Sequence, residues 1–254
     1  IKIKAVDFFN SFDDIFEAMD QPTVDGVNTF FIAKAAKEIG LKVVLSGLGS
    51  DEIFCGYRPF KRITTLAFLG NFFARSGLTP TIPSFLGDRF AKISYLKYGN
   101  PIGPYLNIRG LFAPKDIASI LDITEEEVGR YIKNLAVELN IESALHPVDV
   151  LSYLEMHFYL QNQLLKDTDF MSMRHSVEVR VPYLDHVLVE YVSGLNPKLK
   201  LDRGANKPLL IESVRYNNTS EVFNRYKIGY TFPFEARLKQ AIKDPSGPIK
   251  EGIL

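Results

Sequence analysis

The run Leu41-Lys42-Val43-Val44-Leu45 breaks at once into Ser46-Gly47-Leu48-Gly49-Ser50-Asp51-Glu52, and this break constrains the fold more than any other stretch. A short apolar run bounded by turn formers predicts a buried strand over 41–45. The two glycines behind it predict a turn with backbone angles closed to other residues. Asp51 and Glu52 then suit the start of a helix. A strand ending in a small-residue turn, at the carboxyl edge of a parallel sheet, is where α/β proteins bind ligands. Backbone N–H groups there can meet a phosphate, and Asp51 offers the hard oxygen that Mg²⁺ takes. The loop fits neither common nucleotide fingerprint. A dinucleotide loop needs glycine where Glu52 stands, and a Walker loop needs Gly-Lys-Ser/Thr. The pattern alone leaves a structural turn and a ligand site both open.

The flanking chain supports an α/β reading. Helical spacing over 27–39, with Asp25 or Asn28 as cap and Gly40 as terminator, predicts a helix feeding the strand, half of a doubly wound unit. Phe8, Phe12, Ile15 and Phe16 predict one short amphipathic helix that stops ahead of Asp20-Gln21-Pro22. Downstream, helices are predicted through Phe54 and over 60–74, then a loop-rich or short-helix region over 75–114. Thr124 and Glu127 form a capping box, followed by an apolar stripe of Val128, Tyr131, Ile132, Leu135 and Leu139. Asp149 opens the longest helix, predicted from 150 to about 165. A helix is also predicted behind Asn206 with Pro208 in its first turn.

Composition narrows the function. Thirty basic and thirty acidic residues in 254 give no pull toward nucleic acid or an anionic membrane. No apolar run approaches the ~20 residues needed to span a bilayer, and no signal peptide is read ahead of Ile1. The single cysteine, Cys55, excludes an internal disulfide and reads as a packed residue in a reducing compartment. His146, His157, His175 and His186 show no metal-ligand spacing and read as structural or surface groups. The expectation is a soluble, cytoplasmic protein.

Two further stretches mix ionisable and core-type residues. In one, Asp167-Thr168-Asp169 precedes Glu178-Val179-Arg180-Val181-Pro182-Tyr183-Leu184-Asp185. Glu178, Arg180 and Asp185 read as a buried ion-pair lattice, while Asp167 and Asp169 stay open as candidates for a substrate wall. The other is Arg225-Tyr226-Lys227-Ile228-Gly229, where the plain reading of Lys227 is a solvated loop lysine.

Taken together, these stretches resemble the synthetase domain of the glutamine-dependent asparagine synthetase family. The motifs that carry the resemblance occur in the family's order. They are Asp20-Gln21-Pro22 with Asp25-Gly26-Val27-Asn28-Thr29, then Val44 through Glu52 with Gly56-Tyr57. Asp167-Thr168-Asp169 with Met171-Ser172-Met173 follows, then Glu178-Val179-Arg180-Val181-Pro182 with Leu184-Asp185, and last Lys227 with Gly229. The resemblance implies an α/β, predominantly helical fold: a partial parallel sheet of the pyrophosphate-loop nucleotide α-hydrolase-like type with a large helical layer. Residues 1–60 would form the sheet-containing part and 61–254 the mainly helical part. The implied chemistry is activation of a carboxylate by ATP as an acyl-adenylate, which ammonia then converts to an amide. Ser46, Gly47, Leu48 and Gly49 match the adenylate-holding loop, and Asp51 the carboxylate that binds Mg²⁺. Lys227 matches a lysine that stabilises charge building on the phosphates, which reverses its plain reading.

Three departures shape the expectations. The family's Ser-Gly-Gly-x-Asp-Ser pyrophosphate loop and its glutaminase domain match nothing here and lie upstream in the family. This chain is therefore expected to be the carboxyl-terminal part of a longer protein, unable alone to hydrolyse glutamine or to bind ATP productively. Leu48 stands where asparagine synthetases proper carry Glu and β-lactam synthetases carry Tyr, which opens a second reading as a related adenylating amidotransferase or cyclase with a non-aspartate substrate; the missing loop opens a third, a non-catalytic binding remnant. Cys55 replaces a usual glycine, a change expected to matter little. An incomplete sheet would expose an apolar edge, so self-association, including a homodimer, is also expected.

Overall fold

The computed structural model describes residues 3, 5–78, 88–141, 145–201 and 206–214. The chain divides into two compact units, each discontinuous in sequence. The first is built from described residues of 1–49 and 157–186, the second from those of 50–156 and 187–217. The described residues are mainly helical, with a small parallel sheet, an α/β arrangement.

In the first unit, β1 (Val43–Leu45) pairs in parallel with β2 (Glu178–Arg180), Val44 opposite Val179. Helix Gly26–Glu38 precedes β1, and Gly40 follows it at φ +83°. The strand is real but not buried. Val44 packs against Ala33, Ala36 and Val177, whereas the alternate positions Val43 and Leu45 face outward, Leu45 with 74% of its surface exposed. Side chains alternate along a strand, and only one face of this pair is covered. Parallel strands are ordinarily covered on both. The expected buried lattice also lies outside. Arg180 pairs with Glu178 at 2.7 Å, but both are more than half exposed and Asp185 is exposed too. Residues two apart on a strand share a face, here the open one.

The core of the first unit gathers Phe8, Ile15, Val27, Phe30, Phe31 and Met171. The single amphipathic helix predicted near the start is two helices, Ala5–Asn10 and Phe12–Ala18, broken at Ser11, whose buried hydroxyl accepts a hydrogen bond from Lys34. Helix Gly26–Glu38 is capped by neither Asp25 nor Asn28. The Thr23 hydroxyl accepts from the N–H groups of Asp25 and Gly26 instead.

The second unit opens with helix Ser50–Ile53. Helices Ile63–Ser76 and Ile102–Arg109 pack against the 3₁₀ segment Lys92–Tyr98, so of the two readings of 75–114, loop-rich or short-helix, the short helices are what forms where the region is described. The capping box forms as predicted at helix Glu125–Glu138, with Thr124 and Glu127 exchanging hydrogen bonds. Val128 and Ile132 of its stripe are buried, while Tyr131 points to solvent. Helix Pro147–Leu154 runs on through a π-helical stretch, Glu155–Leu164, into helix Leu165–Met173. No glycine or proline interrupts positions 148–173, so the helix outlasts its predicted end near 165. Asp167 and Asp169 therefore sit on a helix. No helix among the described residues is long and apolar enough to cross a membrane.

Cys55 departs from expectation. It is buried at φ +57°, a left-handed conformation that disfavours any side chain. Burial pushes its thiol up to about 12, which keeps it protonated and inert, as the packed reading requires. The loss of glycine is therefore not neutral for the backbone. Cys55→Gly is expected to be more stable than Cys55→Ala by about 1 kcal/mol, since both lose the thiol and only one relieves the strain. Denaturant midpoints of the two variants measure the difference; coincident midpoints would show that the backbone relaxes instead.

Candidate functional site

The loop after β1 belongs to the first unit. The Ser46 N–H donates to the Arg180 carbonyl, continuing the ladder by one bond, and the Ser46 hydroxyl accepts from the N–H of Leu48. Of the two glycines only Gly49 needs its freedom. It sits at φ +88°, and a Cβ there would lie 2.3 Å from Leu184. Gly47 is different: it is exposed, lacks a positive φ, and a Cβ would meet nothing within 4 Å. Nothing in the packing demands glycine at 47.

Asp51 opens the second unit, on helix Ser50–Ile53. Lys207, just ahead of helix Pro208–Val214, places its ammonium 3.1 Å from Asp51 Oδ1 and donates to the Ser50 hydroxyl at 2.7 Å. Gly56 closes over this contact. A Cβ there would lie 2.0 Å from Asp51 Oδ1 and 2.4 Å from Lys207 Cε, so any larger residue would push these two side chains out of their present contact. Beside it, Glu52 points inward and is fully buried. Its carboxylate accepts from the Tyr57 hydroxyl at 2.6 Å, and burial raises its pKa above the ordinary range. The Tyr57 ring lies 5.0 Å from the Arg109 guanidinium, which forks onto buried Glu155 at 2.7 to 3.1 Å. The Ser152 hydroxyl donates to the Glu52 carbonyl at 2.7 Å, tying helix Ser50–Ile53 to helix Pro147–Leu154. Asp51 is thus carried on a short helix anchored by a buried polar network.

Asp167 and Asp169 separate on their helix. The buried Asp167 carboxylate accepts from Thr23 at 2.6 Å and from Gln21 at 3.3 Å, while Asp169 is exposed. Burial outweighs those hydrogen bonds, and with nearby Asp25 it holds the Asp167 pKa above the usual carboxylate value. Asp25 accepts from Tyr159 and Gln163. Lys227 and Gly229 lie outside the described residues. Among the described residues no group of three His, Cys, Asp or Glu side chains could hold a metal.

Comparison with known proteins decides the family. The sequence profile of the asparagine synthase family matches residues 1–246. The chain belongs to the asparagine synthase family. One relative is asparagine synthetase [glutamine-hydrolyzing] 1 of Bacillus subtilis, 25% identical over 95% of this chain and 39% of that protein. Another is amidase chry2 of Gibberella zeae, 28% identical over 91% of this chain and 37% of that protein. A shorter match, to asparagine synthetase [glutamine-hydrolyzing] 3 of Bacillus subtilis, is 38% identical over 32% of this chain and 13% of that protein. The chain thus spans less than two-fifths of the length of the curated relatives it matches. No solved structure matches.

Within the family's frame, the structure puts Ser46 to Gly49 on one loop and Asp51 on the helix that follows. Sequence reasoning missed Lys207, Arg109 and Glu155. The Lys207–Asp51 contact joins residues 156 positions apart, and no local pattern signals such a pairing. For Lys207 the one available hint was a lysine immediately ahead of the helix-opening Pro208.

Proposed function

We propose that this chain is the carboxyl-terminal part of an ATP-dependent amide-forming ligase of the asparagine synthetase type. The family match across residues 1–246 carries the reading. Its chemistry is attack of a substrate carboxylate on the α-phosphorus of ATP, releasing pyrophosphate and leaving an acyl-adenylate; ammonia then adds and AMP departs. We propose a sheet of the pyrophosphate-loop type, to which the β1–β2 pair contributes. Ser46, Gly47, Leu48 and Gly49 would hold the adenylate, and the open space where a Gly47 side chain would stand supports that role. Asp51 would hold Mg²⁺, which supplies charge neutralisation on the phosphates. One carboxylate is an ordinary protein share for Mg²⁺, which keeps waters and phosphate oxygens as its other ligands. Asp51 holds a cationic partner in this structure, the Lys207 ammonium at 3.1 Å, which a metal would have to displace. Lys227 would stabilise charge on the departing phosphates. Asp169 is the candidate for direct contact with substrate, and Asp167 for ordering the Gln21–Thr23 turn. Ammonia would come from glutamine through a glutaminase domain elsewhere in the protein. The balanced charge and the buried thiol of Cys55 suit a reducing, cytoplasmic setting.

A second reading keeps the adenylation and changes the acceptor. Leu48 favours it, because an alkyl side chain can neither relay a proton nor bind an amine, and the amidase-named relative shows that the match extends beyond asparagine synthetases. Pyrophosphate release by the full-length protein, with ATP, Mg²⁺ and a panel of carboxylates including aspartate, tests both. Release with at least one acid is expected, and none from the 254-residue segment alone. Turnover restricted to aspartate would remove the second reading, and silence with every acid would overturn the first.

A further inference from the structure

The contact between Lys207 and Asp51 is built with more care than a surface ion pair. Only 17% of the Lys207 side chain and 25% of the Asp51 side chain are exposed. Three features converge on it. Lys207 adopts φ +56°, a conformation a lysine does not choose freely, and its carbonyl accepts the N–H of Ile211 at the start of helix Pro208–Val214. The buried Ser50 hydroxyl takes a second hydrogen bond from the same ammonium. Gly56 leaves the space through which the lysine stem reaches the carboxylate, and any side chain at 56 would strike both partners. The chain has therefore seated a cation of its own on Asp51.

We infer that Lys207 is a positioning residue that competes with the divalent cation for Asp51, so that the cation binds weakly until an anionic ligand offers the ammonium another partner. This inference rests on the reading of Asp51 as the Mg²⁺ ligand. The physics is direct. Two cations cannot share one half-buried carboxylate without mutual repulsion, and the low local dielectric strengthens that repulsion. A triphosphate entering with its metal removes the conflict, because the displaced lysine then meets phosphate oxygens. Free Mg²⁺ alone offers no such partner. Occupancy of the site by metal without nucleotide is thereby suppressed, and Asp51 is kept oriented and neutralised in the interval.

The test is Mn²⁺ titration of the full-length protein without nucleotide, followed by electron paramagnetic resonance of free Mn²⁺. Four proteins are compared: the unaltered chain, Lys207→Met, Lys207→Arg and Asp51→Asn, with circular dichroism confirming that each is folded. Lys207→Met keeps the aliphatic stem and removes the charge, and is expected to bind Mn²⁺ roughly tenfold more tightly, equivalent to about 1.4 kcal/mol. Lys207→Arg keeps the charge and is expected to stay weak, an outcome that loss of packing alone would not produce. Should Lys207→Met fail to fold, Lys207→Gln serves in its place. Asp51→Asn is expected to abolish the binding. If Asp51→Asn abolishes binding while Lys207→Met binds no more tightly than the unaltered chain, the competition is overturned and the metal reading stands. If Mn²⁺ binding survives Asp51→Asn, or no variant binds Mn²⁺, the metal reading fails and this inference falls with it.

Discussion

Arg109→Met is expected to destabilise the protein by about 3–5 kcal/mol. The reason lies with the partner left behind. Glu155 is completely buried, and the Arg109 guanidinium meets it through both Nε and Nη2, at 2.7 to 3.1 Å. Removing the fork leaves a buried carboxylate without its counter-charge and without two of its hydrogen-bond donors, which is costly. The loss extends to Tyr57, whose ring lies beneath the guanidinium and whose hydroxyl donates to buried Glu52. Thermal unfolding should shift downward by on the order of 10 °C. The double variant Arg109→Met/Glu155→Leu is expected to recover most of the loss, because replacing a whole buried pair by apolar groups costs far less than halving it. Denaturant unfolding of both single variants and the double one completes a cycle. A coupling below about 1 kcal/mol would mean that water reaches Glu155 and the pair carries little stability.

That pair also shows where the sequence stops informing. Elements governed by neighbours a few residues away were readable. Gly40 ends helix Gly26–Glu38, Thr124 and Glu127 make their box, and the apolar run ahead of Ser46 becomes β1. Errors arose where distant contacts compete with local preference. Asp25 has the chemistry of a cap, but Tyr159 and Gln163 hold its carboxylate, and Thr23 caps instead. The run at 41–45 has the composition of a fully buried strand, yet Leu45 faces solvent, since composition does not say how many layers cover a sheet. Glu178 and Arg180 do pair, but on the open face. At the candidate site, the loop and Asp51 stood out because glycines and a carboxylate follow a strand without a gap. Lys207 did not, because its meaning depends on a fold that brings residue 207 back to residue 51.

The largest catalytic effect is expected at Lys227, and it bears on the proposed function rather than on stability. With Lys227→Met in the full-length protein, kcat for pyrophosphate release should fall roughly a hundred- to thousandfold, with KM for ATP changed little. The split follows from the charge balance of the proposed step. As the carboxylate attacks the α-phosphorus, the bond to the leaving oxygen lengthens and negative charge accumulates on the departing pyrophosphate. An ammonium placed at that charge is worth more in the transition state than in the bound ground state, so its loss appears in kcat. A lysine that merely recruited nucleotide would act equally on both states, raising KM and leaving kcat intact. Lys227→Arg separates charge from shape: a guanidinium keeps the charge but spreads it over a planar fork, so partial recovery is expected. Steady-state kinetics at saturating ATP, with melting curves beside them, make the comparison. An unchanged kcat would remove Lys227 from the chemistry and return it to the plain reading of a solvated loop lysine.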